Sequence, residues 1–404
     1  MALQIGRCPF EIAAPLRMST AATLTPDRAR RLLRARLANV YAFFVSGLGM
    51  GIWATHIPLV RARLGIDPAV LGIALFVMAF AATITMPLAG VALGRFGSRP
   101  TTALLMLAFT AFMPLPLLAG SVPLFFVSVF VFGTTIGTLD VSMNLQATEI
   151  EAARQRPTMS SFHGFFSLGG LVGAGLGAAI IAAGWGDGSG AAVLAAGFFV
   201  LAVVAGLNLW PSTPATGAGP HFALPNRAAF ALGLLALLCF GIEGSITDWS
   251  ALYLSTVKHA SVSIAGAGFA AFSVTMAVFR LVGDAVVARL GSRLTLVGGG
   301  AIITFGLVLA IVAPWPVLSA VGFALVGLGA ANVVPVVFSG ASRVPGMPSN
   351  LGVAAVTTMG YVGFLATPPV LGFVAHTYGL TVSMAVVALM GAAVALIAAG
   401  ISRR

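Results

Sequence analysis

The chain has 404 residues, of which 59% are hydrophobic and only 8% are charged. A soluble domain carries about 25% charged residues, so this chain cannot cover itself with a polar surface, and its composition predicts a protein of the lipid bilayer. The net charge of +11 does not indicate a nucleic-acid partner, because the basic residues lie in short loops between apolar runs.

The N-terminal segment, residues 1–36, precedes the first apolar run and is predicted to be a disordered cytoplasmic tail. Its first 27 residues lack the long apolar core of a secretory signal. An alternative is that translation starts at Met18 rather than at Met1. The two cysteines, Cys8 and Cys239, provide neither a disulfide framework nor the spacing of a metal site.

Twelve apolar segments follow, each near the length of about 20 residues that a helix needs to cross a bilayer. The alternation typical of a β-barrel strand is absent, so the segments are predicted to be helices of an all-α membrane protein. We place these spans at residues 37–59, 69–93, 100–119, 122–150, 158–184, 190–210, 228–255, 262–288, 293–313, 316–341, 350–376 and 379–401.

A linker divides the twelve spans into two sets of six. Residues 211–226 read PSTPATGAGPHFALPN, and this Pro, Gly, Ser and Thr content is typical of a flexible connection. The sequence therefore predicts an N-terminal six-helix bundle over 37–210, a cytoplasmic linker over 211–227 and a C-terminal six-helix bundle over 228–404.

The basic residues at the ends of the spans predict the orientation of the chain. They concentrate on one side of the predicted membrane, whereas the other side holds only Arg61, Arg63 and Lys258. By the positive-inside rule both termini are cytoplasmic, as an even number of spans requires.

The two halves repeat each other. The second span is followed by GVALGRFGSR (90–99) and the eighth by DAVVARLGSR (284–293), and the fourth span carries GTLDVSMN (137–144) where the tenth carries GAANVVPV (329–336). Repeated six-helix halves with a site between them at mid-membrane depth are typical of secondary transporters. The loop-motif residues are Gly90, Arg95, Gly97 and Arg99 in the first copy and Asp284, Arg289, Gly291 and Arg293 in the second.

With twelve spans, a central linker and a duplicated G-x-x-x-x-R-x-G-x-R loop, the chain resembles the major facilitator superfamily from about residue 35 onward. The resemblance implies two pseudo-symmetric six-helix bundles. The family usually has an acid directly before the first arginine of the loop, and this chain has Gly94 there and Ala288 in the second copy. The charge relay ascribed to that loop therefore lacks its acid at this position, although Asp284, the first residue of the second copy, lies close to Ala288.

The fourth span is similar to that of the fucose:proton symporter branch of the superfamily. In that branch a G-x-L-acid-x-x-x-N pattern carries the acid linked to proton coupling, and the matching residues here are Gly137, Leu139, Asp140 and Asn144. The branch also has an acid in its first span, which YAFFVSGLGMGIWATHIP (41–58) lacks. The segments DVSMN (140–144), SFHGFFSLGG (161–170) and EGSITDWSALYL (243–254) resemble those of bacterial inner-membrane permeases with poorly defined substrates. We expect a multi-pass monomer in the bacterial inner (plasma) membrane.

Three polar residues of different spans share one predicted depth. At about 1.5 Å of rise per residue, Asp140, Glu243 and Asn332 each lie near the middle of their spans. Intramembrane acids are rare and usually functional. We interpret Asp140 as the first candidate for a proton-coupling site and Glu243 as the second, and the alternative for each is an acid that hydrogen-bonds a neighbouring helix for packing.

Two further residues are candidates on the proton path. Asn144 lies one turn from Asp140 on the same face, where it could hold the carboxyl group, bind a substrate hydroxyl or join two helices. His163 could relay protons, and the alternative is a packing residue held by hydrogen bonds.

Three residues are candidates for substrate binding. Asn332 aligns with Asp140 in the repeat. Arg280 could hold a carboxylate of the substrate or of Glu243, or it could pair with Asp284 four residues later. Trp249 could stack on a sugar or could belong, with Tyr253, to an aromatic belt.

Glycines of the fifth span lie at four-residue spacing, at Gly169, Gly173 and Gly177. This spacing predicts close contact with another helix and is compatible with rocking between inward- and outward-facing states.

The sequence contains no phosphate-binding loop, no cluster of metal ligands and no nucleophile motif, so it predicts no enzyme, cofactor or metal. The hypothesis is a proton-coupled secondary transporter of a small polar solute, such as a sugar, that works by alternating access. A proton-driven exporter of drugs or metabolites is the alternative. Met143, Phe240 and Phe272 are compatible with an exporter.

Overall fold

The computed structural model describes residues 25–211 and 224–401, and every regular element in these residues is an α-helix. The helices are α1 (Pro26–Leu64), α2 (Pro68–Phe96), α3 (Ser98–Phe112), α4 (Leu115–Leu118), α5 (Val122–Arg154), α6 (Met159–Ala182), α7 (Ser189–Asn208), α8 (Arg227–Thr256), α9 (Val262–Leu281), α10 (Gly283–Val312), α11 (Pro316–Ala330), α12 (Val333–Ala341), α13 (Ser349–Tyr378) and α14 (Leu380–Ile401). Residues 1–24, with Met18 and Cys8, the middle of the predicted linker and the last three residues lie outside the described part.

The predicted all-helical membrane architecture is confirmed. Among the described residues, 11 helices are long and apolar enough to cross a bilayer, and a further apolar helix, Gly266–Leu281, is shorter. Two of the crossing segments, Ser98–Leu118 and Pro316–Ala341, each contain two of the helices above.

The predicted boundary of the N-terminal tail was wrong, because α1 begins at Pro26 rather than near residue 37. A proline suits the first turn of a helix, because the N–H group that it lacks would have no partner there. The negative charge of Asp27 in the same turn interacts favourably with the positive end of the helix dipole. Leu32 and Ala35 are buried, so one face of this arginine-rich segment already packs against the protein.

The predicted eighth span, 262–288, was also too long. Helix α9 ends at Leu281 and α10 begins at Gly283, and the backbone of α10 is non-helical at Gly291 (φ 76°, ψ 161°). Gly97, at the matching place in the first copy of the loop motif, has φ 85° and ψ 163°. The repeated sequence thus forms the same bend twice, in a region of φ that favours glycine.

The described residues form two compact units by their internal contacts. The N-terminal unit contains residues 25–158 and 162–211, and the C-terminal unit contains 159–161 and 225–401. In the first unit α2 packs on α5 and α3 on α7, and in the second α9 packs on α11 and α10 on α14. The predicted bundle boundaries at 210 and 228 stay a prediction, because most of the linker lies outside the described residues.

The glycine spacing of the fifth span predicts close helix contact, and this is confirmed. A Cβ atom on Gly169 would collide with the carbonyl oxygen of Phe44, and one on Gly173 with that of Leu48. Gly47 on α1 lies equally close to the carbonyl oxygen of Phe166. Helices α1 and α6 therefore meet backbone to backbone, as small residues permit.

Two of the basic residues on the predicted outer side cap helices. Arg63 donates hydrogen bonds to the carbonyl oxygens of Leu117 and Ala119 (3.2 Å for Ala119). Lys258 Nζ donates to the carbonyl oxygens of Ile311 at 2.7 Å and Ala313 at 2.8 Å. Each satisfies carbonyl groups that a helix end leaves without an internal donor. Partial desolvation lowers the pKa of Lys258.

Candidate functional site

The N-terminal unit contains a buried polar chain on α5 and α6. Asn144 Nδ2 donates to the backbone oxygen of Asp140 at 2.9 Å and to its Oδ1 at 3.2 Å. His163 Nε2 lies 3.2 Å from Asn144 Oδ1. In this orientation of the amide the imidazole must donate, so hydrogen bonds run from His163 through Asn144 to Asp140.

Close packing holds α5 in this position. A Cβ atom on Gly137 would lie 2.7 Å from both Cα and the carbonyl oxygen of Ala82, so α5 approaches the backbone of α2 about one helical turn from Asp140. On α1, Asn39 Nδ2 donates to the backbone oxygen of Met143 at 3.1 Å. Asn39 is fully buried, and no motif or spacing in the sequence indicated a role for it.

An aromatic residue fixes the imidazole of His163. The rings of Phe43 and His163 meet edge to face with centroids 5.2 Å apart, and Phe43 also stacks on Phe162 at 5.4 Å. Asp140, Asn144 and His163 are 8%, 0% and 7% exposed. The three predicted residues are therefore brought together in one enclosed cluster.

No cation compensates the charge of Asp140 in the part of the chain that the structure describes. Its carboxylate has no arginine or lysine nitrogen within 4.0 Å, and its side-chain partner is the neutral amide of Asn144. An ionised carboxylate in such surroundings carries a desolvation cost that a bound proton would remove.

The C-terminal unit contains a buried acid of a different kind. Arg280 Nη2 on α9 lies 2.8 Å from Glu243 Oε1 on α8, and the two side chains are 6% and 12% exposed. Helix α9 ends at Leu281 and α10 begins at Gly283, so Arg280 and Asp284 lie on different helices and the predicted i, i+4 spacing along one helix is not present. The alternative in which Arg280 holds Glu243 is the one observed.

A break in the tenth predicted span supplies a second partner for Arg280. Because Pro335 has no N–H, the carbonyl oxygen of Ala331 loses its donor four residues later. Arg280 Nε donates to this oxygen at 3.3 Å. The predicted span over 316–341 is present, but it is divided into α11 and α12 at Asn332 (φ −108°, ψ 0°) rather than formed by one continuous helix.

Asn332 lies beside this pair at the helix break. Its Nδ2 donates to the backbone oxygen of Phe279 at 3.2 Å, and its buried Oδ1 receives no hydrogen bond from residues 25–211 and 224–401. A buried acceptor without a donor is costly, so an N–H or O–H group that reached this atom would stabilise it.

Trp249 is not part of either cluster. It lies six residues from Glu243 on α8, so it projects about 120° away around the helix. Its indole ring faces Gly372 on α13. Tyr253 is fully buried against Phe323, with ring centroids 6.4 Å apart, so the alternative of a lipid-facing aromatic belt was wrong for Tyr253.

The first loop motif joins a third polar cluster, which the sequence analysis missed. Ser98 Oγ donates to Glu149 Oε2 at 2.6 Å, and Gln146 Nε2 lies 2.5 Å from Ser98 Oγ. Gln146 also holds the backbone of Trp210, accepting from its N–H at 3.0 Å and donating to its oxygen at 3.1 Å. A carboxylate from α5 thus approaches a loop whose own acid position is Gly94.

The arginines of the two loop motifs point mostly outward. Arg95 is exposed and lies 5.3 Å above the ring of Phe96, and Arg99 donates to the backbone oxygen of Leu207 at 2.8 Å. In the second copy, Arg289 and Arg293 are exposed. Within residues 25–211 and 224–401, no three His, Cys, Asp or Glu side chains lie close enough together to hold a metal ion.

Comparison with known proteins gives the context of these clusters. The family model of the Major Facilitator Superfamily matches residues 40–346. An uncharacterised MFS-type transporter of Yersinia pestis is 38% identical over 90% of this chain and 94% of its own length. Membrane protein MosC of Rhizobium meliloti is 32% identical over 89% of this chain and 88% of its own.

A solved structure supports the same fold. The fucose:proton symporter of E. coli aligns with a TM-score of 0.72 over 90% of this chain and 98% of its own, at 14% identity. The family consists of transporters rather than enzymes. The chain belongs to the major facilitator superfamily and is a multi-pass membrane transporter.

Proposed function

We propose that the chain is a proton-coupled secondary transporter that moves a small polar solute by alternating access, with Asp140 as the proton-binding group. The observation that supports this best is the buried Asp140 carboxylate, whose side-chain partner is a neutral amide and which no arginine or lysine of the described residues compensates. Such a group can gain and lose a proton without breaking an ion pair.

The hydrogen-bond chain provides a way to exchange that proton. With Asp140 ionised, Asn144 donates to the carboxylate and accepts from His163. With Asp140 protonated, a rotated amide accepts from the carboxyl O–H and donates to the imidazole in its other tautomer. The orientation of one amide therefore follows the protonation state of the acid and transmits it to His163.

The energy for uphill transport would come from the proton gradient. One elementary charge moved across the membrane potential releases about 2.3 kcal/mol per 100 mV. This corresponds to a concentration ratio of roughly fifty, since each 1.4 kcal/mol is a factor of ten. A single proton per cycle is therefore sufficient for substantial accumulation.

A polar substrate suits the C-terminal unit. The unsatisfied Oδ1 of Asn332 and the adjacent pair of Glu243 and Arg280 offer an acceptor, an anion and a cation within one region of that unit. A hydroxylated solute such as a sugar carries groups that pair with all three. The name of the fucose:proton symporter is consistent with this substrate class, although at 14% identity that protein shares only the fold.

Asp140→Asn tests the proposal in proteoliposomes supplied with a panel of polar solutes. We expect the variant to lose accumulation driven by a pH gradient and to keep exchange of labelled for unlabelled solute, since the amide cannot release a proton. Asp248→Asn is the matched control, because it makes the same change at an exposed position of α8. Unchanged accumulation in Asp140→Asn would exclude Asp140 from proton coupling. If the solute moves outward while protons move inward, the protein is an exporter rather than an uptake transporter.

A further inference from the structure

An apolar groove opens on the surface of the N-terminal unit, separate from the polar clusters described above. It has a volume of about 510 Å³ and lies where α2 and α3 converge over α5. Its lining includes Leu88, Ala92 and Phe96 on α2, Leu104 and Leu105 on α3, and Thr138 on α5.

The walls of the groove are open to the surroundings of the protein. Leu88, Phe96 and Leu104 are 64%, 56% and 68% exposed. On a multi-pass membrane protein, apolar side chains with this exposure contact lipid chains rather than water. The groove is therefore accessible from the bilayer.

The polar atoms at the base of the groove are already satisfied. Thr138 Oγ1 donates to the backbone oxygen of Thr134 at 2.7 Å, and Thr101 Oγ1 donates to that of Gly97 at 2.8 Å. Neither hydroxyl needs a polar partner from an occupant. A hydrocarbon chain suits this base better than a sugar or another hydroxylated solute, whose own polar groups would lose their hydrogen bonds to water.

The positively charged side chain of Arg95 lies at the end of the groove next to the loop between α2 and α3. Arg95 is exposed, directly precedes the groove residue Phe96 and lies 5.3 Å above its ring. In the described part of the chain no carboxylate lies within 4.0 Å of its guanidinium group, and the residue before it is Gly94. An exposed guanidinium group without a neighbouring carboxylate can donate two parallel hydrogen bonds to two oxygens of one phosphate group.

We propose that this groove binds one acyl chain of an anionic phospholipid, whose phosphate group pairs with Arg95. The apolar lining and the uncompensated arginine at one end match the two parts of such a molecule, and basic residues at the cytoplasmic ends of membrane helices commonly bind anionic headgroups. The proposal is independent of the transported solute. It places a lipid against α5 at Thr138, two residues from Asp140.

Native mass spectrometry of the full chain in detergent, titrated with phosphatidylglycerol or phosphatidylcholine, tests the proposal. We expect one phosphatidylglycerol molecule to bind about tenfold more tightly than phosphatidylcholine, because both lipids carry a phosphate but the choline cation of phosphatidylcholine offsets its charge and weakens the attraction to Arg95. Ala92→Phe fills the groove and should weaken the binding of both lipids. Arg95→Gln should remove the preference for phosphatidylglycerol.

Arg227→Gln is the control, because it removes the same charge from an exposed position at the start of α8. It should bind both lipids as the unchanged protein does. Thermal unfolding of each variant separates lost binding from lost folding, and both substituted side chains are at least partly exposed. The proposal is overturned if Ala92→Phe binds like the unchanged protein, or if Arg95→Gln keeps the preference for phosphatidylglycerol.

Discussion

Each unit of the transporter buries one acid in the middle of a membrane helix, and the two acids have opposite surroundings. Asp140 receives a hydrogen bond from the neutral Asn144, whereas Glu243 lies 2.8 Å from the guanidinium group of Arg280. A compensated carboxylate is stable as an anion where it lies, and an uncompensated one is stabilised by a proton. The comparison supports Asp140 over Glu243 as the proton-coupling residue, and it favours substrate binding or gating for the ion pair.

The largest effect that we predict is on stability, and it appears when the acid of each unit is replaced by its amide. Glu243→Gln removes the carboxylate that lies 2.8 Å from the buried guanidinium group of Arg280, and breaking a buried pair in this way costs about 3–5 kcal/mol of unfolding free energy. Asp140→Asn removes no ion pair and should cost less than about 1 kcal/mol. Thermal and denaturant unfolding in detergent measures the difference.

A second substitution controls this measurement. Glu243→Gln combined with Arg280→Met removes both charges and should recover most of the lost stability, because no unpaired charge remains. Equal stability losses in the two single variants would show that Asp140 is also paired in the folded protein, and the contrast between the units would then be incorrect.

The next prediction removes the link between Asp140 and His163. Asn144→Leu leaves the Asp140 carboxyl without its side-chain donor, which we expect to cost about 1–3 kcal/mol of stability and to slow gradient-driven accumulation strongly. Ser142→Ala is the control, since Ser142 is equally buried on α5 but bonds only to the backbone oxygen of Leu139 at 3.0 Å. Accumulation at the normal rate in Asn144→Leu would remove the amide from the proton path.

The sequence was sufficient for the parts of the site that lie on one continuous helix. Asp140 and Asn144 are four residues apart, so helix geometry alone places them on one face. The contact between His163 on α6 and Asn144 on α5 joins two helices, and no spacing within one helix predicts it. The all-helical architecture was predictable because a bilayer permits few solutions for so apolar a chain. The family was indicated by the resemblance of the duplicated loop motif at residues 90–99 and 284–293.

The sequence was not sufficient where partners come from distant helices or where a helix breaks. Glu243 and Arg280 could be proposed as a pair, but so could Arg280 with Asp284, because a continuous eighth span was assumed. Glu149 and Gln146 were missed because their partner Ser98 belongs to another helix, and no local spacing connects α5 with the start of α3.

The smallest effect on stability is predicted for Pro335→Ala, which tests the break beside Arg280. The new N–H would compete with Arg280 Nε for the carbonyl oxygen of Ala331, now 3.3 Å from that nitrogen. One hydrogen bond replaces another, and the gain in helix propensity opposes the greater freedom of the unfolded chain, so the net change should be within about 1 kcal/mol.

The consequence for transport should be larger than that for stability. Joining α11 to α12 withdraws Asn332 from the helix break and releases one contact of Arg280, so turnover should fall while hydrogen exchange at position 335 becomes slow. Pro87→Ala is the matched control, because Pro87 lies within α2, which remains one helix across it. If both proline variants transport equally well, the break at Asn332 is a feature of packing, and the difference between the continuous α5 and the divided α11 and α12 has no part in the transport cycle.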